Sequence, residues 1–143
     1  MGKMITMKVE LIHPDAKLPT RGSHWSAGLD LFAVEDFEIP PCELRMIDIG
    51  IKVELPNGTV GLIRDRSSLG SKGFVTAAGV IDSDFRGEWK VILRNTRLDV
   101  AFRGGRGDRI AQVVIVPVNY VTPTPGIVEG TRRGEGGFGS TGK

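Results

Sequence analysis

Cysteine is nearly missing from this chain: a single Cys42 leaves no internal disulfide to form and rules out a cysteine-based zinc site. Long apolar runs are missing as well, with no stretch of about 18 such residues to cross a bilayer. The opening MGKMITMKVELIHPDAK interleaves Lys and Glu with its apolar residues and so does not read as a signal peptide. Nor is there an excess of one charge sign. Nineteen Lys and Arg against 17 Asp and Glu give a formal net charge of +2, too small and too evenly mixed to argue for nucleic-acid binding. Helical periodicity is absent from every long segment, and only RSSLGSKG offers a helical turn. What remains is a soluble, intracellular chain, expected in the cytoplasm, with no membrane or nucleic-acid partner. Its 143 residues are enough for one domain with a real core.

Glycine (20) and proline (8) are plentiful, and they punctuate short runs rich in β-branched residues. ITMKVELI, LDLFAV, MIDIGIKVEL, TVGLIR, FVTA, EWKVILR and RIAQVVIVPV read as strands. The clearest alternation sets Ile49, Ile51, Val53 and Leu55 on one face against Gly50, Lys52 and Glu54 on the other. PNG at 56–58 then predicts a hairpin into TVGLIR, and LDVAFRGG at 98–105 reads as a loop between two strands. A mostly-β sandwich or barrel is the architecture these runs imply. The chain divides into a β domain over 1–118 and a tail over 119–143 that carries Pro123, Pro125 and seven glycines in its last eighteen residues. Such a tail is expected to stay mobile until something binds it. Its ending, GFGSTGK, nearly spells a phosphate-binding P-loop, but no strand precedes it and neither a Ser or Thr nor a helix comes after Lys143.

Three strand-poor stretches concentrate charge, hydroxyls and glycine. In RDRSSLGSKG, Arg66, Ser67 and Ser68 offer a guanidinium, two hydroxyls and backbone N–H groups to a phosphate; an ordinary N-cap beside a solvated Arg fits the same residues. In AAGVIDSDFRGEWK, Val80 and Ile81 are expected to carry Asp82 into the protein, where a carboxylate must be paired or working; an Asx-turn is the plainer alternative, and Asp84 suits it better. Asp30 and Gln112 interrupt apolar strands and read either as site residues or as the solvent face of a half-buried sheet. In the tail, Arg132 and Arg133, the lone Phe138, Ser140 and Thr141 would make a lid for a nucleotide, or a solubilising end.

Taken in order, AGLDLFA, RSSLGSKG, GVIDSDFRGE, GDRIAQVVIVPV and RGEGGFGST resemble the five motifs of the trimeric deoxyuridine triphosphatase (dUTPase) family, from about residue 27 to the C-terminus. The resemblance implies an all-β, distorted jelly-roll barrel of the β-clip kind. It implies a homotrimer with shared active sites closed by a flexible glycine-rich C-terminal arm. The implied reaction converts dUTP to dUMP and pyrophosphate, which keeps uracil out of DNA and supplies dUMP for thymidylate synthesis. Asp82 would be the base for the water that attacks the α-phosphorus. Arg66, Ser67, Ser68 and Gln112 would hold phosphates, and Asp30 would hold water in the shell of a Mg²⁺ ligated mainly by those phosphates. Arg133, Ser140 and Thr141 would grip the γ-phosphate, with Phe138 stacked on uracil and Gly139 beside it in the substrate-binding set. The backbone of a hairpin from Thr76 through Gly79, Val80 and Ile81 would read uracil's edge. Phe85 would pack under the deoxyribose, and Lys90 joins the substrate-binding set.

Two positions depart from the family pattern. Phe85 stands where many members have Tyr, so a phenolic hydrogen bond is lost while the ring remains. Thr76 stands where some bacterial members have Asn. The related dCTP deaminases share RSSL but carry a catalytic Glu ten residues beyond the aspartate and an Arg four beyond the first serine; here those places hold Ile92 and Ser71. A nucleotide-switched regulatory protein and a binding module without turnover are the alternatives from other classes.

Overall fold

The computed structural model describes residues 5–139 and 142. Among them are eleven strands and one helical turn, with every strand pair antiparallel. β1 (Lys8–Leu11) pairs with β5 (Ile51–Glu54), and β3 (Phe37–Ile39) with β10 (Phe102–Gly104). A three-stranded sheet runs in the order β4 (Leu44–Asp48), β9 (Lys90–Asn95), β7 (Phe74–Thr76). The largest sheet runs β2 (Gly28–Phe32), β11 (Arg109–Pro117), β6 (Thr59–Arg64), β8 (Val80–Ile81). α1 (Ser67–Gly70) is a single turn directly beyond β6. No helix among the described residues is long and apolar enough to cross a membrane.

The core forms where alternating side chains of these sheets meet. Ile49, Ile51, Val53 and Leu55 are all buried, as their spacing requires, while Lys52 and Glu54 face out. Gly50 departs from that pattern. It is buried between β4 and β5 at φ 68°, and a Cβ there would lie 2.7 Å from His13 Cβ, so the expected single strand over 46–55 breaks at this point.

The hairpin predicted at PNG does not form. β5 pairs with β1, whereas β6 pairs with β11 and β8, so the turn at 56–58 carries the chain from one sheet to another. Thr59 Oγ1 donates to Pro56 O at 2.6 Å and Val118 N–H donates to Gly58 O at 2.9 Å, and these bonds satisfy the turn in place of a ladder. The stretch 98–105 is also more than a loop: Phe102–Gly104 is a strand, because Phe102 packs on Phe37 and Phe74, and the Phe37 ring lies over Gly104.

Asn95 is the one fully buried polar side chain of the described core. Its Nδ2 donates to Ile39 O at 3.0 Å and Val100 O at 2.7 Å, and its Oδ1 accepts from Arg97 N–H at 2.9 Å, which ties β9 to β3 and to the 96–101 segment. Asn95→Leu removes the partner of three backbone groups, one buried and two partly buried, and is expected to cost about 3 kcal/mol, read as a fall in the urea midpoint at unchanged slope.

Candidate active site

β11 pairs with β2 on one edge and β6 on the other, and this register sets Asp30, Gln112 and Arg64 in one row across the sheet. Gln112 lies over Gly28, where a Cβ would come within 2.0 Å of its Oε1; the glycine of AGLDLFA is the space the glutamine occupies. From there Gln112 Nε2 donates to Asp65 O at 2.8 Å. The amide is thus held at the point where β6 ends and the RSSL turn begins.

Asp30 is only 15% exposed, and the Arg66 Nε and Arg109 Nη1 atoms lie 3.6 Å from its two carboxylate oxygens. The solvent-face alternative for this aspartate is therefore set aside. Arg66 is not a solvated neighbour of an ordinary N-cap either. It is itself the N-cap residue of α1, makes no side-chain cap, and sends Nη1 to Arg109 O at 3.0 Å. The N–H groups of Leu69 and Gly70 bond to Arg66 O, so among the described residues those of Ser67 and Ser68 stay open beside two exposed hydroxyls. An open donor pair, a fixed guanidinium and a half-screened carboxylate form a receptor for a polyanion.

Asp65 has no part in the sequence reading, yet it organises this end of the sheet. Its Oδ1 accepts from Thr76 N–H at 2.6 Å and Thr76 Oγ1 at 2.7 Å. The only sequence signal was its place between β6 and Arg66, where an aspartate reads as ordinary turn chemistry.

The 76–81 stretch is not a ladder-paired hairpin: β7 pairs with β9 and β8 with β6, so the chain here bridges two sheets. Ala77 N–H donates to Ile92 O and Gly79 O accepts from Ile63 N–H at 2.8 Å. Between those anchors Ala78 and Gly79 have φ of 55° and 91°, and a Cβ on Gly79 would sit 2.9 Å from Ile63 O. Among the described residues the N–H of Ala78 and Gly79 and the C=O of Ala77 and Ala78 find no partner, which leaves a polar peptide edge facing outward.

Asp82 is not carried into the protein. β8 is a two-residue edge strand with Val80 65% exposed, so the turn beyond it lies uncovered, and Asp82 and Asp84 are both exposed. Asp82 O accepts from Phe85 N–H at 3.1 Å, closing a turn, while its carboxylate has no hydrogen-bond or ion-pair partner among the described residues. It lines a cavity of about 660 Å³ with Thr59, Val60, Val80, Val118 and Tyr120. The Phe85 ring is 42% exposed and lies over Gly87, where a Cβ would be 2.5 Å from Cζ.

The sheet separates these two groups of residues. Ile81 is level with Gly61 near the start of β6, whereas Arg66 lies past its end. At about 3.3 Å per residue this puts Asp82 roughly 15–20 Å along the strand from the Arg66 cluster. One protomer does not bring them together. Lys90 stands apart as well, bonded to Asp48 across the β4–β9 pair with Glu88 at 4.0 Å; the Asp48 carboxylate holds its ammonium above the ordinary lysine value.

Beyond residue 118 no strand or helix occurs among the described residues. Local turns close at Thr131–Gly134 and Arg133–Gly136, Arg133 Nε donates to Gly136 O at 2.6 Å, and Phe138 stands fully exposed at φ 48°. With no strand leading into it, GFGSTGK lacks the context of a P-loop. Ser140 and Thr141 lie outside the described residues.

Open peptide N–H groups, hydroxyls and a guanidinium gathered at one end of a strand give this all-β scaffold the chemistry of an anion-binding protein. The chain matches the dUTPase family model over residues 14–142, and it belongs to that family. It is 44% identical to the deoxyuridine 5'-triphosphate nucleotidohydrolase of Paramecium bursaria Chlorella virus 1, over 97% of this chain and 99% of that protein. It is 42% identical to the enzyme of that name from Yarrowia lipolytica, over 96% and 90%. Among solved structures it is similar to Staphylococcus bacteriophage 80alpha dUTPase with dUpNHpp, at 29% identity and TM-score 0.88, covering 98% of this chain and all of that one. It is also similar to a mutant dUTPase from phage phi11 of S. aureus, described for its coordination of a structural Mg(II) ion, at 28% identity and TM-score 0.77 over 87% of this chain and 97% of that one.

Gly28→Ala places a methyl group where Gln112 lies. It is expected to drive the amide off Asp65 O and to destabilise the fold by about 1–3 kcal/mol; thermal unfolding and the shift of the Gln112 side-chain amide resonances read the two effects.

Proposed function

We propose that this protein is a dUTP diphosphatase that hydrolyses dUTP to dUMP and pyrophosphate. The observation that carries the reading is the family match over residues 14–142, a span that includes Asp82, Arg66 and Gln112. In the proposed reaction Asp82 orients a water and takes its proton as the oxygen attacks the α-phosphorus, and the bond to the β-phosphate oxygen breaks to release pyrophosphate. A carboxylate without a competing partner is free to do this. Arg66, the N–H groups and hydroxyls of Ser67 and Ser68, and the Gln112 amide receive the phosphate oxygens. The open peptide edge at 76–81, with Thr76, Gly79, Val80 and Ile81, pairs with uracil, and the small residues Ala77 and Ala78 permit close approach. Phe85 packs against the deoxyribose and rejects a 2′-hydroxyl by its bulk.

The described residues hold no cluster of three metal-ligating side chains, so they do not form a cage for a divalent ion. A single screened Asp30 carboxylate does suit Mg²⁺ that arrives on the triphosphate and keeps its waters. Asp30 would accept hydrogen bonds from those waters, and Mg²⁺ would supply neutralisation of phosphate charge.

The separation of Asp82 from Arg66 along β6 supports a site completed by a second copy, within the proposed homotrimer. The exposed tail supports the division at 118/119: a β domain over 1–118, here proposed as a jelly-roll barrel, and an arm over 119–143. The arm brings Arg133, Ser140 and Thr141 to the γ-phosphate and Phe138 onto the base, with Gly139 also on the substrate side. Lys90 belongs to the substrate side only if dUTP displaces its bond to Asp48. We place the enzyme in the cytoplasm, where it would keep uracil out of DNA and supply dUMP for thymidylate synthesis.

Pyrophosphate release should be fast with dUTP and Mg²⁺ and slow with UTP, dTTP and dCTP. Asp82→Asn should lower kcat by about a hundredfold or more, and removing residues 133–143 should abolish most turnover. Native turnover by Asp82→Asn defeats the mechanism, and ammonia release from dCTP would reinstate the deaminase.

A further inference from the structure

We infer that Arg109, which lies outside the substrate contacts proposed above, is a positioning residue: resting on the dUTPase reading, it keeps Asp30 paired when Arg66 turns to the triphosphate. In an unbroken strand, side chains three positions apart face opposite ways, so Arg109 would lie on the core face while Gln112 lies on the site face. β11 does not run unbroken. Its register against β2 shifts between Arg109 and Ala111, where two steps on β11 match the single step from Phe32 to Leu31. This β-bulge lets Ile110 and Ala111 both enter the core. Arg109 is thereby turned to the side of Gln112 and Asp30, and its Nη1 lies 3.6 Å from Asp30 Oδ2.

Asp30 holds its two cations on separate oxygens, with Arg66 Nε 3.6 Å from Oδ1 and Arg109 Nη1 at the same distance from Oδ2. Arg109 also steadies the other arginine, since its C=O accepts from Arg66 Nη1 at 3.0 Å. Once the Arg66 guanidinium serves phosphate oxygens, it is no longer fully available to Asp30. A carboxylate only 15% exposed, left without a cation beside a triphosphate, opposes binding. Arg109 supplies that cation through the oxygen that Arg66 does not use. Asp30, Arg66, Arg109 and Gln112 all belong to the phosphate end of one chain, so the arrangement works within a single centre. Mg²⁺ carried by the nucleotide is the other source of positive charge for Asp30, so Arg109 matters most when the metal is withheld.

Calorimetric titration of the full chain with the dUTP analogue dUpNHpp, in Mg²⁺ and in EDTA, tests this. Arg109→Met is expected to weaken binding about tenfold in EDTA and only about twofold in Mg²⁺. Arg109→Lys keeps a cation beside Asp30 and should hold the EDTA affinity within about threefold of the parent. An Asp30→Asn background has no carboxylate to compensate, so adding Arg109→Met there should change the EDTA affinity by less than about twofold. A loss equal in Mg²⁺ and EDTA, or as large in the Asp30→Asn background, would make Arg109 a direct phosphate ligand and overturn the positioning role. An EDTA affinity unmoved by Arg109→Met overturns it too. Should Arg109→Met fail to fold, Arg109→Gln, which removes the charge but keeps a polar side chain, decides by the same criteria. A parent protein that does not bind dUpNHpp overturns the functional reading and the role of Arg109 together, whereas a parent that binds it, with no metal-dependent loss in the variants, overturns the role of Arg109 alone.

Discussion

β11 is bonded along both edges, to β2 and to β6, and the chemistry at one end of the molecule depends on that register. Because side chains alternate across a strand, a slip of one residue on either edge would turn Gln112 to the opposite face and separate it from Asp30. The buried Val113 and Ala111 on either side of Gln112 make such a slip expensive, since both would leave the core. Apolar packing here does more than stabilise: it fixes where a polar amide and a carboxylate meet.

Charge is managed on the same frame. Asp30 lies between two guanidiniums at ion-pair distance, so neither the acid nor the arginines face an uncompensated partner in the free protein. In the proposed function an incoming polyanion would compete with Asp30 for Arg66, and a cation carried by that polyanion would offer Asp30 a replacement. At the far end of β6, Asp82 has no such compensation and lies in solvent at the mouth of a cavity. The two carboxylates differ because one stands on β2 between two guanidiniums and the other just beyond β8, the two-residue strand at the opposite edge of the sheet.

Much of the architecture is legible in residue order, since alternation such as Ile49 to Leu55 is a direct image of burial. The failures are instructive. PNG is good turn chemistry, but local chemistry does not say which strand β5 will pair with; that choice is made by β1, more than forty residues earlier. Val80 and Ile81 look like core residues because they are apolar, yet an edge strand exposes one of its sides whatever its composition. Phe102–Gly104 was hidden because its partner is a three-residue strand far away in sequence. At the site, residue types and order identified the family through its five motifs. Asp65 escaped because its role lies in contact with Thr76, eleven positions on. Gly28 was visible in AGLDLFA, but only the folded sheet shows whose side chain fills its space.

The placement of Asp82 and Arg66 towards opposite ends of β6 has a genetic corollary. If each catalytic centre draws its carboxylate from one copy and its phosphate grip from another, two alleles, one defective at each end of the strand, can restore intact centres when expressed in the same cell. Neither allele alone would support growth that depends on the enzyme. A single gene would then behave in a complementation cross as though it were two.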